Sequence, residues 1–350
     1  MQSCAINTIT GSRERPNTDG AVSECAWNRP LGKRRPGFEK RRSDLSGYDL
    51  SYVALSSREP EQLIDVLGND LGMAGEAIDA PGGDVHIFAA GKSGLCVFNS
   101  DHPLLDNPGG TGLDHIVLSS ADPAAAAKTH GLTVIGEEKG VGAKAQIRIA
   151  PEQTVGVRTR FAEPLVLPKS GQGLVERIDH LGVASADVAR DEAVFVTNLG
   201  CPVESRQTDF EVSMAVESFT SDKYGVIYHN RQPEPVGGLR VLFVSIGDFE
   251  LEFLQDIDPT AAHVVDHGHP GNTKQDRGVI GSYVAKRGPG LHHIALKTPD
   301  IKKTLAHLDS KGRRMIDLEG RPGSRRAKIG FIHPSALGGV LLHFVERTEI

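Results

Sequence analysis

From residue 46 onward the chain alternates short apolar runs with amphipathic segments, and it does so in two rounds. Residues 51–56, Ser-Tyr-Val-Ala-Leu-Ser, have the length and β-rich composition of a strand. Residues 58–67 follow with apolar positions at Leu63, Val66 and Leu67, the spacing of a helix face. Residues 178–184 form a matching strand, and the helix predicted after it runs over 187–198 and stops at Gly200. Each half then repeats the motif. Residues 110–118 read Gly-Thr-Gly-Leu-Asp-His-Ile-Val-Leu, and 288–296 read Gly-Pro-Gly-Leu-His-His-Ile-Ala-Leu. Each leads into a predicted helix, 123–130 and 301–310, closed by Gly131 and Gly312. Strands at 154–163 and 338–346 end the two halves.

The polar residues inside these strands carry the chemical signal. In the second half, four short apolar segments each hold an imidazole or a carboxylate: 178–183, 250–254, 291–296 and 340–344. Such a group, buried alone, is costly and must be paired, protonated or bound to a metal. Four of them in one half of a chain point to a metal site. Aligning the halves sets Tyr52 against His180, Cys96 against Glu252, His115 against His293 and Arg160 against His343. One of the four positions in the first half keeps a metal-competent residue, so that half reads as a duplicate with its fold retained and its metal lost. Strand alternation puts His293 on one face with Leu291 and Ala295, and His292 on the other. The same rule puts Glu250 and Glu252 on one face.

Composition narrows the setting. The 350 residues suit two ordinary domains, and residues 1–45 stand apart as a polar tail with a basic run from Arg29 to Arg42, expected to be disordered. The expected division is tail 1–45, a metal-free unit at 46–165 and a metal-binding catalytic unit at 172–350. A formal net charge of -6 implies no bulk attraction to nucleic acid or membrane. No stretch is apolar enough to span a bilayer. Four scattered cysteines without a CxxC pair fit a reducing cytoplasm.

With these residues in view, the chain resembles the vicinal oxygen chelate superfamily, whose βαβββ units pair and curl into a cup with metal ligands on the inner strand faces. The fold expected from this resemblance is α+β, with tandem βαβββ modules forming a cup-shaped mixed sheet. Residues 176–346 are similar to methylmalonyl-CoA epimerases through IDHLGVAS, ELEFL, GLHHIALKTPDI, RPGSRRAKIGFIHP and GGVLLHF. GLHHIALKTPDI also resembles the 4-hydroxyphenylpyruvate dioxygenases. The tandem layout is similar to the 2-epi-5-epi-valiolone epimerases, which act on a cyclic, sugar-derived ketone. Carried over by position, the ligands are His180, Glu252, His293 and His343; both the acyl-CoA epimerase and the dioxygenase have glutamate at the last.

Three imidazoles and one carboxylate suit one divalent transition metal ion, Mn, Fe, Co, Ni or Zn, better than Mg or Ca. Such an ion acts as a Lewis acid on a ketone oxygen and makes the neighbouring proton removable. The activity expected is therefore that of an isomerase, a metal-dependent epimerase inverting a carbon next to a ketone through an enediolate, in secondary metabolism of the antibiotic-biosynthesis type. The proton is assigned to Glu250, Glu217 or His229, the last two from an insertion able to form a lip. His333 is expected to shape the turn before the last strand. The competing readings are a non-haem iron dioxygenase using His180, His293 and Glu252, an acyl-CoA epimerase, and a binding protein without turnover. The expected partners are a small-molecule ketone and, as a homodimer, a second copy.

Overall fold

A computed structural model describes residues 45–169, 173–230, 232–258 and 278–348, and no side-chain placement for Ile227 and His229. The tail expected at 1–45 falls outside these residues apart from Leu45, which is buried and donates its backbone N–H to the carbonyl of Leu199.

The first module opens with β1 (Leu50–Ser57) and α1 (Pro60–Asp65), which runs on as a π-turn to Asp70. The strands β2 (Gly75–Ile78), β3 (Val85–Ala90) and β4 (Ser93–Asn99) follow. A second pass gives β5 (Gly112–Ser119), α2 (Pro123–Thr129), β6 (Val134–Lys139), β7 (Ala145–Ile149) and β8 (Thr159–Ala162). The eight strands make one mixed sheet in the order β2-β3-β4-β1-β5-β8-β7-β6.

The second module repeats the plan. Its first pass is β9 (Arg177–Ala184), α3 (Val188–Glu192), β10 (Val203–Ser213), a hairpin of β11 (Val216–Ser221) and β12 (Gly225–Asn230), β13 (Glu234–Ile246) and β14 (Phe249–Asp256). Next come α4 (Val279–Arg287), β15 (Gly290–Lys297), α5 (Ile301–Ser310), β16 (Arg321–Pro322), β17 (Lys328–Ile332) and β18 (Leu342–Glu346). The sheet order β10-β13-β14-β9-β15-β18-β17-β16 is that of the first module strand for strand. The fold is α+β, with tandem modules and a curled mixed sheet. Each module contains two βαβββ passes, so each cup is closed within one half of the chain.

The helices begin where their caps dictate. The carboxylates of Asp122, Asp187 and Asp300 accept backbone N–H groups at the starts of α2, α3 and α5. Apolar residues on the helix side of both sheets merge into one core that includes Leu55, Phe161, Leu181, Phe253 and Phe344. That shared core fixes the strands from behind and leaves the other face of each sheet to form the cup. Two elements were not legible in the sequence: α4 and the β11–β12 hairpin, which connects the edge strand β10 to its neighbour β13. The predicted last strands are also shorter than expected, because 3-10 turns at Pro151–Thr154 and Pro334–Leu337 precede them. His333 caps the second of these turns, accepting the Ser335 N–H.

Candidate metal centre

The four central strands of the second module bring His180 (β9), Glu252 (β14), His293 (β15) and His343 (β18) together on the cup floor. All four are buried. One ring nitrogen from each of the three histidines lies within 4.8 Å of the others. Glu252 Oε2 is 3.2 Å from His180 Nε2 and 3.4 Å from His293 Nε2. Neither approach has hydrogen-bond geometry, and both ring nitrogens of His343 lack a partner. Buried imidazole nitrogens turned toward one another without a protein partner are costly as a hydrogen-bonding arrangement. They are the arrangement a cation requires, and the donor set fits a divalent transition metal.

Strand register explains the convergence. Gly182 pairs with both Glu252 and His293, so it lies between these two groups. A Cβ at Gly182 would stand 2.0 Å from His293 Cε1, so the ring occupies space that only glycine leaves free. Two β-bulges then set the residues alongside the histidines. One falls between Leu291 and His293, the other across Asp179 in the β9–β15 pairing. The first overturns the expected alternation: His292 faces the same cavity as His293, and their Nδ1 atoms are 3.1 Å apart. The second places Asp179 Oδ1 2.8 Å from His180 Nδ1. Each of these two rings is thus held at Nδ1, leaving Nε2 for the centre, as second-sphere carboxylates and donors do at metal sites.

The electrostatics follow from the same contacts. Burial opposes charge on His180, but Glu252 and Asp179 outweigh it and raise the imidazole to about 9. Burial would raise Glu252, yet His180 and His293 hold it well below the usual carboxylate range. Burial and the neighbouring rings push His343 well down. His292 is lowered to about 3 by burial and by His293.

A cavity of about 430 Å³ opens above the cluster. Leu254, Ile280, Ile329 and Phe331 form much of its apolar wall, and Asp317, Arg321 and Arg347 line it as polar groups. Arg347 is tied to Asp179, and Arg321 to Asp317. A second cavity of about 390 Å³ lies between the modules and shares Val279, His292 and Leu341 with the first.

Two of the proton-transfer residues expected from the sequence, Glu250 and Glu217, lie away from the cavity. Glu250 does not line the cavity; its Oε2 is 2.6 Å from Arg325 Nη1, and that guanidinium lies 3.7 Å over the Phe243 ring. Glu217 lines neither cavity; His229 pairs with it in strand register across the β11–β12 hairpin, and the His229 side chain lies outside what the structure describes. That hairpin forms no lip on either cavity. Its distance from the centre follows from its place at the far ends of β10 and β13. Asp179, His292, Asp317 and Arg347 are site residues that sequence reasoning passed over. A signal for the first existed: the dipeptide Asp-His occurs at 114–115 as well as at 179–180.

In the first module the strand register puts Tyr52, Cys96, His115 and Arg160 at the four corresponding positions. Arg160 is 1% exposed; its guanidinium donates to the Leu104 carbonyl at 2.7 Å and to Asp106 Oδ1 at 2.9 Å, and reaches Glu138 Oε1 at 3.3 Å. A fixed organic cation fills this cup. Asp106, Asp114 and His115 lie close enough for a metal, but Asp114 already accepts the backbone N–H groups of Asp106 and Asn107 and pairs with His115.

Comparison with known proteins agrees with this architecture. Residues 179–331 match the family model described as Glyoxalase/Bleomycin resistance protein/Dioxygenase superfamily. That stretch lies within the second module and spans the strands that carry His180, Glu252 and His293. Among individual relatives, the mitochondrial methylmalonyl-CoA epimerase of Bos taurus is 22% identical over 207 residues, 56% of this chain and 95% of its own length. The Homo sapiens enzyme is 25% identical over 166 residues, 47% of this chain and 71% of its own. A mutant of 4-hydroxymandelate synthase from Streptomyces coelicolor, 15% identical, superposes with a TM-score of 0.55 over 86% of this chain and 93% of that one, which establishes a shared fold across both modules. No helix among the described residues is long and apolar enough to cross a membrane.

Proposed function

We propose that the protein is a metal-dependent epimerase that inverts a carbon next to a ketone. The observation carrying this reading is the convergence of His180, Glu252, His293 and His343 at the floor of a cavity. These four side chains would hold one divalent transition metal. The bound ion supplies Lewis acidity toward a carbonyl oxygen, which makes the adjacent C–H labile. Asp179 and His292 fix two of the imidazoles so that their Nε2 atoms face the centre. The apolar wall excludes water and strengthens every charge interaction within. Of the remaining polar wall groups, Asp317 offers a carboxylate for moving a proton at a substrate carbon, whereas His292, lowered to about 3 by burial and by His293, is too weak a base for that step. Proton transfer is assigned to Asp317 in place of Glu250 and Glu217.

The substrate proposed is a small polyhydroxylated cyclic ketone, a sugar-derived cyclitol, with 2-epi-5-epi-valiolone the first compound to test. The cavity volume suits a molecule of that size. Asp317, Arg321 and Arg347 supply a polar edge for its hydroxyls. Similarity to the acyl-CoA epimerases supports the isomerase class, while His343 departs from the glutamate that the resemblance places there.

The deciding experiment combines elemental analysis of protein purified without chelator with proton NMR of the ketone in deuterated buffer, under strict anaerobiosis. An epimerase retains roughly one equivalent of transition metal per chain and exchanges one substrate hydrogen for deuterium without oxygen. Turnover only when oxygen is admitted would replace this reading with a dioxygenase built on His180, His293 and Glu252. Tight binding with no exchange would replace it with a binding protein.

A further inference from the structure

The second cavity, about 390 Å³ between the modules, has a lining whose chemistry the metal centre does not use. Thr111, Gly112 and Leu113 of the first module form one side, and α4 forms another. Val279, Ser282, Tyr283, Lys286 and Arg287 are the α4 residues that line it, and their spacing is that of a single helix face. The lining therefore holds two cations and the hydroxyls of Thr111 and Ser282, and it contains no carboxylate. The chain as a whole leans the other way, with 45 acidic residues to 39 basic ones.

Neutral groups hold Arg287 in place. Its Nη1 is 3.4 Å from the Thr111 carbonyl oxygen, and the guanidinium carbon lies 5.4 Å from the centroid of the Tyr283 ring. Tyr283 is fixed in turn, its hydroxyl donating to the Leu291 carbonyl at 2.7 Å. Among the described residues neither Lys286 nor Arg287 is paired with a carboxylate. An arginine positioned by a carbonyl and a ring keeps its charge for a ligand and has little ordering left to lose on binding.

We propose that this cavity takes a phosphate monoester. A phosphate dianion matches the two cations in charge, and its three terminal oxygens match the guanidinium, the ammonium and the hydroxyls. A carboxylate would leave one cation uncompensated. The cavity volume falls in the range of small-molecule sites. Basic residues in a last helical turn also complement the helix dipole. That role is served anywhere around the turn, and it does not require both cations to share a cavity-lining face with Ser282. Val279, His292 and Leu341 line both cavities, so the anion lies directly beside the metal cavity. The phosphate is carried either by the ketone or by a separate phosphorylated molecule. Because the readout is binding, the proposal stands independently of the epimerase reading.

The test is titration calorimetry on the full chain, purified without chelator and free of phosphate buffer, with inorganic phosphate and with dihydroxyacetone phosphate. Both should bind with a dissociation constant of about 1 mM or below. Lys286→Gln and Arg287→Gln should each weaken phosphate by at least about tenfold, with metal content unchanged. Lys302→Gln, exposed on α5 and lining neither cavity, is the control that keeps wild-type affinity. Tighter binding of dihydroxyacetone phosphate than of phosphate, with the difference lost in His293→Ala, supports the proposal with the anion carried by the ketone. Equal affinities that His293→Ala leaves unaltered support it with a separate phosphorylated ligand. No binding up to about 10 mM phosphate overturns the proposal. So does an affinity that Lys286→Gln and Arg287→Gln both leave unaltered, since the ion would then sit on the metal and the two cations would serve α4 alone.

Discussion

The two modules share strand order, register and a common core, and differ in what stands at the centre of the cup. In the second module three histidines and a glutamate face one another with their donor atoms unspent. In the first, Arg160 reaches into the equivalent space and binds the Leu104 carbonyl, Asp106 and Glu138. Both solve the same problem, since the inner faces of four central strands converge and polar groups there need a positive charge. On the proposed reading, one cup leaves that charge to an exchangeable ion, and the other builds it into the chain. The fold would then serve with or without a metal, the Arg160 guanidinium standing where the second cup would hold an ion.

The largest effect expected on this comparison comes from the second cup. Replacing His180 or His293 with Ala should abolish metal retention, read by elemental analysis, and lower turnover by at least about a thousandfold. Replacing His115 with Ala should leave the metal content untouched. Equal metal loss in both modules would end the distinction between them.

Arg160 tests the other side. Replacing it with Ala strands Asp106 and Glu138 beside a buried gap and leaves the Leu104 carbonyl without its donor. Unfolding in urea should show a loss of about 3 kcal/mol, while metal stoichiometry stays at the wild-type value. A variant as stable as wild type would mean that Arg160 is not the internal replacement for an ion.

Gly182 offers a swap between the modules. The residue at the corresponding strand position of the first module is Ala54, paired with Cys96 as Gly182 is with Glu252. Gly182→Ala adds the one atom that collides with the His293 ring. The ring must turn, and the expected cost is about a hundredfold in turnover, with the fold intact by circular dichroism. Unchanged turnover would show that His293 has freedom to move without harm.

Much of this was legible in the sequence, for reasons that also explain what was not. The duplicated strand–helix order and the four polar positions stood out because period-2 and period-3.6 patterns reach the surface of a sequence directly. Tyr52, Cys96, His115 and Arg160 could be set against their counterparts before any coordinates were known. The bulges could not. A bulge adds one residue to one strand, and nothing in Leu-His-His-Ile announces it, so His292 was turned the wrong way and Asp179 was passed over as a partner for His180. Glu250 illustrates a second limit: it was linked to the site by alternation, but Arg325, 75 positions along the chain, claims it through a loop contact that no local pattern encodes. The insertion between the first and second ligands was visible as extra length, and its composition gave no sign of which way it would extend.

The smallest effect expected concerns the carboxylates behind the histidines. Burial would raise Asp114, but the hydrogen bond and charge of His115, the backbone N–H groups and Arg158 lower it from 3.8 to about 2. A carboxylate lowered in the folded state contributes stability that is complete above the unfolded value and is lost as pH falls through the folded one. The contribution, about 2 kcal/mol at neutral pH, should therefore be constant above about pH 5 and fade between about pH 4 and 2. Asp114→Asn removes the titration, so the stability gap between wild type and variant should shrink over that window. Asp179 occupies the same kind of position behind His180, but there Arg347 and Arg325 add to the histidine. Its carboxyl is lowered further, and the gap for Asp179→Asn should persist to lower pH than the gap for Asp114→Asn. If both gaps closed over the same pH range, the two carboxylates would be equivalent despite their different cations, and the extra arginines of the second module would have no electrostatic part in holding His180.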